Sequence, residues 1–391
     1  MAIDFQQVRQ QIIEMGKDAP LRAQHMRETR EKALQALSDW AEKLDELQLK
    51  VDAALQANPN LRCALPRDEN LLTRAASPEV PAAATLLAAD GSQINPNRHA
   101  SVDFCLVNVG AIQMQHGEPD APTTDVQSKL YYDDQMYVGG GYINERMVAL
   151  LRDLRERTLL AELAEDLPSP AITLTDGPLE LWVGSEVSLE TGEYEKRFKE
   201  YLAALRRLHR IGASTAGYID KPRGDLLVRL LEIALLPLDE IEKAGRTHRP
   251  FLQLADADLF AEILRPGERS AVLGIQSRNA ELYTAELALH FFYLNVSRNP
   301  RKPYTVRVEI PAWVAANAAM LDQLHAILLH QSHILGGRPY PYILHRSHEV
   351  AVVSRDEAQQ VENMIALELQ KHGIEFSEGS FKQAAKDVSV S

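Results

Sequence analysis

Apolar positions early in the chain follow a helical rhythm. Ala33, Leu37, Trp40, Leu44, Leu47, Val51 and Ala54 recur at alternating gaps of four and three, the seam of a coiled coil or helical hairpin. The segment to about Leu55 reads as helix, interrupted at "KDAPL", where Pro20 ends a short helix and opens a long one. The seam is expected to pack on its own domain, the alternative being an arm that clasps a second subunit. "QANPNLRCALPRDENLLTRAASPEVPAAA" then reads as a connector. Beyond it the pattern alternates. "ATLLAAD" and "SVDFCLVNVGAIQM" predict an antiparallel strand pair, joined by a turn at "GSQINPNRHA". Ile143 to Asp166 is a patterned helix, and "AITLTDG" a further strand. "YEKRFKEYLAALRRLHRIG" and "RGDLLVRLLEIALL" form a more helical stretch, "YTVRVEIPAW" alternates like a strand, and "LDQLHAILLHQSHILGG" is a helix stopped by glycines. "EVAVVSRDEAQQ…" reads as strand then helix, with Ser354 and Glu357 spaced as a capping box.

This order predicts a mixed α/β protein in three parts: a helical extension and linker over 1–78, a main domain over 79–370 with a helical insertion at about 190–250, and a tail over 371–391. A chain of 391 residues with 45% hydrophobic composition can bury such a core. No apolar run reaches the roughly 18 residues of a membrane span, and the polar N-terminus lacks a leader's apolar run, so the expected location is cytoplasmic, without a membrane. Two cysteines exclude a disulfide framework and a cysteine-rich zinc site, leaving oxygen ligands and histidines as metal donors. The net charge of −13 opposes indiscriminate binding to polyanions but permits a local basic groove.

Two strands run into Asp-Gly, at Asp90 and Asp176. Either copy alone is a turn signal. Together they place two acids at the rim of one sheet, where carboxylates can hold a metal and glycine lets substrate approach. The helix between them offers a third acid. Glu156 shares a face with Ala149, Leu160 and Leu163, and is preferred to Glu145 because it lies nearer the end leading back to Asp176.

These residues resemble the NurA nucleases: strand with "DGS", long second strand, helix with an inward glutamate, strand with "DG". Further phrases agree, namely "GYIDKPRGDLL" with Lys221, "LADADLFAEILRPGERSAVL" with Asp256 and Arg269, "VRVEIPAW" with Glu309, and "PYPYILHRSHEVAVVS" with His348. The resemblance spans roughly Ala82 to Ile365. It implies a ribonuclease H-like core, metal-binding roles for Asp90, Glu156 and Asp176, and a late acid-or-histidine position at His348. Glu145, Asp256 and Glu309 stand as alternative ligands. It also implies a manganese preference, although oxygen ligands alone admit magnesium. The implied activity is a 5′ to 3′ exonuclease and single-strand endonuclease on DNA, a homodimer working beside a HerA-like hexameric ATPase in end resection. "DGPLELW" departs from the commoner small residue after Asp-Gly, which affects the backbone at Pro178.

Such chemistry needs activated water and relief of charge on two phosphate oxygens, which a pair of divalent ions supplies. His348 is suited to ligating, orienting water or protonating the leaving oxygen. Lys221 is a candidate phosphate contact, as are Arg223, Arg269, Arg278, Arg301 and Lys302. His345 and His348 lack the His-Glu-x-x-His spacing of a zinc hydrolase, and no phosphate-binding Gly-Lys-Ser/Thr loop occurs. The rivals are an inactive DNA-clamping adaptor, the same chemistry used in antiphage defence, and an aspartyl phosphatase, which would want a second aspartate where Ser92 stands.

Overall fold

The computed structural model describes residues 3–97, 102–138, 141–167, 170–181, 192–244 and 247–373. Most of the expected tail, from residue 374 on, lies outside them. The helices are α1 (Phe5–Trp40), α2 (Leu44–Ala57), α3 (Glu145–Leu163), α4 (Gly192–Arg210), α5 (Leu226–Ala234), α6 (Asp256–Ile263), α7 (Ala312–Ala315), α8 (Ala318–Ile334), α9 (Tyr342–Ala351) and α10 (Arg355–Lys371). The strands are β1 (Cys63–Leu65), β2 (Ala84–Ile94), β3 (Phe104–His116), β4 (Thr123–Tyr132), β5 (Tyr137–Val138), β6 (Gly141–Tyr142), β7 (Ala171–Asp176), β8 (Ser214–Ile219), β9 (Leu273–Gln276), β10 (Leu289–Asn295) and β11 (Thr305–Pro311). The expected mixed α/β class is what the chain adopts.

The chain divides into two compact units. The first comprises Met1–Ser77, Ile219–Thr284 and Ala288–Glu309. It holds α1, α2, α5 and α6 with strands in the order β1-β9-β10-β11. Pro20 does not break α1 as expected. The carbonyl it frees belongs to Gly16, which is solvent-exposed, so water can bond it and the helix continues. The break falls instead at Ala41–Lys43, and the seam turns a corner there. Ala33, Leu37, Leu47, Val51 and Ala54 are buried, whereas the turn up to His25 is exposed. Lys50 spans from α2 to the end of α5, where its Nζ donates to the carbonyls of Ala234 (2.6 Å) and Leu236 (2.5 Å), a cation on the negative end of a helix.

Asp256 closes the other end of α5. Its carboxylate accepts the N–H groups of Leu227 (3.0 Å) and Val228 (2.9 Å) and the Tyr293 hydroxyl (3.1 Å). Burial outweighs these bonds and pushes the carboxyl from 3.8 up to about 7. A carboxyl raised on folding favours the folded state fully below its unfolded pKa, and that contribution is lost as pH rises through the folded value. Stability of this unit is therefore expected to decline between about pH 4 and pH 7 on account of Asp256, and Asp256→Asn should flatten the decline. Urea unfolding across that range, with wild type and variant side by side, checks it.

The second unit comprises Pro78–Tyr218, Ala285–Leu287 and Ile310–Ser391. Its strands run in the order β8-β7-β2-β3-β4. β7 pairs in parallel with both β2 and β8, while β2–β3 and β3–β4 are antiparallel. β7 and β8 are buried on both faces, as parallel strands are when helices cover each side, and Thr173 and Thr215 satisfy each other by a 2.9 Å hydrogen bond. α3 packs on β2 and β3 from one side and α9 from the other. β4 is half exposed at the edge. The segment after Glu349, expected as a strand, continues α9 to Ala351. That helix ends where side chains of β2 and β3 take the Ala351 carbonyl, a tertiary capping that local pattern does not reveal. The Ser354 and Glu357 capping box forms as expected at the start of α10.

Candidate active site

The first Asp-Gly is not a turn. β2 runs on through Gly91 to Ile94, with Asp90 opposite Gly110 and Gly91 opposite Val109 of β3. Side chains alternate across a strand, so Asp90 and Gly91 address opposite faces of the sheet. Asp90 addresses α9, where its Oδ2 meets His348 Nδ1 at 2.7 Å. Gly110, opposite it, lies so close to α9 that a Cβ would sit 2.8 Å from the Ala351 nitrogen. Ser92 completes this face. Its hydroxyl donates to the Ala351 carbonyl (2.6 Å) and accepts the Val353 N–H (3.1 Å), while Asn108 Nδ2 donates to the same carbonyl (2.7 Å). In "DGS" the acid thus pairs with His348 and the serine pins the helix that carries it.

Gly91 addresses α3. A Cβ there would stand 2.6 Å from Glu156 Oε1, 2.9 Å from Arg152 Cδ and closer still to Arg152 Cγ. Having no side chain, Gly91 lets Glu156 and Arg152 of α3 pack directly against the Asp90 strand. Glu156 is 8% exposed. Burial raises its carboxyl well above the ordinary value, and the charges of Asp153 and Asp90 add to the rise against the pull of Arg152 and Arg157. Arg152 Nε lies 3.4 Å from Glu156 Oε1.

Asp176 ends β7. The parallel register pairs Ala89 with Thr175, so the next step brings Asp90 and Asp176 side by side on neighbouring strands. Strands in a sheet are about 4.8 Å apart, within reach of a shared ion. Here the glycine does turn the chain: Gly177 has φ of 100°. Gly217 on β8 faces this turn, and a Cβ there would run into the Gly177 carbonyl and stand 3.1 Å from the Leu179 nitrogen. Tyr340, just before α9, hydrogen-bonds Asp176 and stacks edge-on against Tyr218 with ring centroids 5.6 Å apart. Burial, then the charges of Asp176 and Asp90, push its phenol up and keep it protonated. Sequence reasoning missed Tyr340. The only available signal was its place in "PYPYILH", between two prolines that fix the entry to α9.

Asp90, Glu156, Asp176 and His348 are therefore all in the second unit, around one stretch of β2 and β7. Among the described residues, no three His, Cys, Asp or Glu side chains already converge as a finished metal cage. Asp90 and Glu156 start from opposite faces, which accounts for this. The donor set nevertheless fits a hard divalent cation, since the burial and like-charge crowding that raise Glu156 are what such an ion would relieve. Glu145, by contrast, is exposed at the first turn of α3.

The other expected site residues belong to the first unit. Lys221 is exposed with φ of 45°, a strained backbone for a non-glycine residue. Arg223, Arg278, Arg301 and Lys302 are exposed. Arg269 is a correction. It is buried, with both terminal nitrogens 3.0 Å from the Glu69 carboxylate, so its charge is spent on an internal pair rather than offered to phosphate. Asp256 serves α5 as described, and Glu309 is wholly buried with Arg307 Nη2 at 2.8 Å. His345 and His348 both lie on α9 rather than beside a strand, and His345 Nε2 is 3.4 Å from Glu349.

An antiparallel β2–β3–β4 meander, a helix, then two parallel strands, with acids on the first and fourth strands and the helix, define a ribonuclease H-like α/β protein. The family model described as the NurA domain matches residues 84–353, more than half of the chain. The chain belongs to the NurA family. Among solved structures, the NurA nuclease from Sulfolobus solfataricus is similar at 13% identity and a TM-score of 0.53, over 94% of this chain and 98% of that one. That likeness shows the shared fold. A NurA structure with manganese matches at 13% identity and a TM-score of 0.39, over 74% of this chain and 90% of that one. No curated protein matches the chain.

Proposed function

We propose that this protein is a divalent-metal-dependent deoxyribonuclease. The observation that carries the reading is the register that sets Asp90 beside Asp176, with Glu156 packed against the bare Gly91 of the Asp90 strand. These three carboxylates would hold manganese or magnesium. The bound cation supplies Lewis acidity for the charge that develops on phosphodiester oxygens. The chain's own groups do the rest. Asp90 fixes the ring of His348 through Nδ1, which leaves Nε2 as the nitrogen that exchanges a proton with substrate or water. Tyr340 holds Asp176 by a hydrogen bond and stays protonated to do so. Ser92 and Asn108 lock the end of α9 and with it the height of His348 over Asp90.

The substrate is DNA. The family resemblance supports 5′ to 3′ exonuclease and single-strand endonuclease action at ends, as a homodimer beside a HerA-like hexameric ATPase in double-strand break repair. Exposed Lys221, Arg223, Arg278, Arg301 and Lys302 are the proposed phosphate contacts, positioning the backbone without reading sequence. No helix among the described residues is long and apolar enough to cross a membrane. Release of nucleotides from end-labelled linear DNA, assayed with manganese, magnesium or chelator, tests the reading. Digestion that requires the metal supports it. Binding of DNA without digestion in any metal, even with a cognate ATPase added, would replace it with the adaptor.

A further inference from the structure

The space over Gly91 is occupied. Arg152, one turn before Glu156 on α3, lays its Cγ and Cδ over the bare Cα of Gly91. Its guanidinium reaches three partners: Asp153 Oδ1 from Nε (3.1 Å) and Nη2 (2.8 Å), Glu156 Oε1 from Nε (3.4 Å), and Gln93 Oε1 from Nη1 (3.4 Å). The fields of Asp153, Glu156 and Asp90 all act on it. A guanidinium thus already stands beside Glu156 and Asp153 over Gly91.

We propose that Arg152 is a resident counter-ion of Glu156, so that arginine and divalent metal compete for the charge of one carboxylate. The inference rests on the metal-binding reading of the same acids. A cation of the proposed kind takes carboxylate oxygens at about 2.0–2.2 Å and tolerates no guanidinium between itself and its ligand. Both cations draw on the same carboxylate charge, so each weakens the other's hold on Glu156. Asp153 supplies the alternative berth, because its bonds to Arg152 are the shorter ones and do not depend on Glu156. With a metal bound, the guanidinium would stay on Asp153 and Glu156 would turn past Gly91 towards Asp90. In the metal-free chain the arginine keeps three crowded acids folded together, and an uncompensated buried charge is the cost of removing it. Arg152 is a positioning residue in this account.

Competition predicts opposite signs for two properties, which simple propping of α3 does not. Manganese alone is titrated calorimetrically into the metal-free full chain, and thermal unfolding is followed in chelator. Arg152→Gln is expected to bind manganese about tenfold more tightly than wild type while unfolding at a lower temperature without metal. Arg152→Lys, which keeps the charge, is expected to bind within a few-fold of wild type. Asp153→Asn removes the berth and is expected to weaken binding several-fold. Unchanged or weaker binding by folded Arg152→Gln, with wild type binding normally, would overturn this inference and leave the metal site standing. Absence of manganese binding by wild type would overturn the inference and the metal-dependent reading together.

Discussion

Asp90→Asn is expected to lower metal-dependent DNA cleavage by at least about 10³-fold while leaving the fold intact. The amide keeps the carboxylate's shape but not the charge that a divalent cation requires. The stability side of the prediction is as specific as the activity side. Asp90 is one of the acids whose charge raises Glu156, so neutralising it relieves repulsion in the metal-free chain. Its pairing with His348 is lost, but that ring is exposed and its contribution small. The unfolding temperature in chelator is therefore expected not to fall. Single-turnover cleavage and thermal unfolding of the same preparation check both halves. Loss of activity accompanied by loss of fold would count against a catalytic role.

Gly91→Ala separates geometry from chemistry, since every acid is retained. The new methyl group would collide with Arg152 Cγ and stand 2.6 Å from Glu156 Oε1. Both neighbours are side-chain atoms that can swing aside, so the stability cost is expected to stay within about 1–3 kcal/mol, the ordinary range for overpacking. Activity is expected to fall about 10²-fold, because Glu156 is driven from its approach to Asp90 and a misplacement of an ångström suffices for a loss of that size. Denaturant unfolding and cleavage rates compared between variant and wild type read this. A fully active Gly91→Ala protein would mean that the packing of Glu156 against Gly91 does not set its place in the site.

These two outcomes bear on how far the sequence could be read. The order strand, strand, helix, strand was legible because β2 and β3 are long and largely apolar, β7 ends on a second Asp-Gly, and α3 carries an unambiguous helical stripe. β4 was not, because an edge strand patterned "TTDVQSKLYY" carries too few apolar residues to stand out. β8, only six residues long, was legible merely as an apolar stretch before Lys221. The acids were found from their recurrence at strand ends, yet the reason assigned to the first glycine was wrong in kind. Asp90-Gly91 lies inside a strand, and its glycine admits α3, whereas Asp176-Gly177 is the turn that the dipeptide usually signals. A dipeptide cannot distinguish these, because the difference is made by a helix about sixty residues away. The same holds for Arg269, whose partner Glu69 is 200 residues distant, and for Tyr340, whose role depends on Asp176.

The claim on which the rest depends is that Asp90, Asp176 and Glu156 share divalent metal. Manganese-soaked crystals, with the ion located by its anomalous scattering, test it most directly. The expected result is density within coordination distance, about 2.0–2.1 Å, of Asp90 and Asp176 carboxylate oxygens, with Glu156 turned past Gly91 onto the same ion or a neighbour about 4 Å away. Manganese bound elsewhere, with Glu156 still on Arg152, would contradict it.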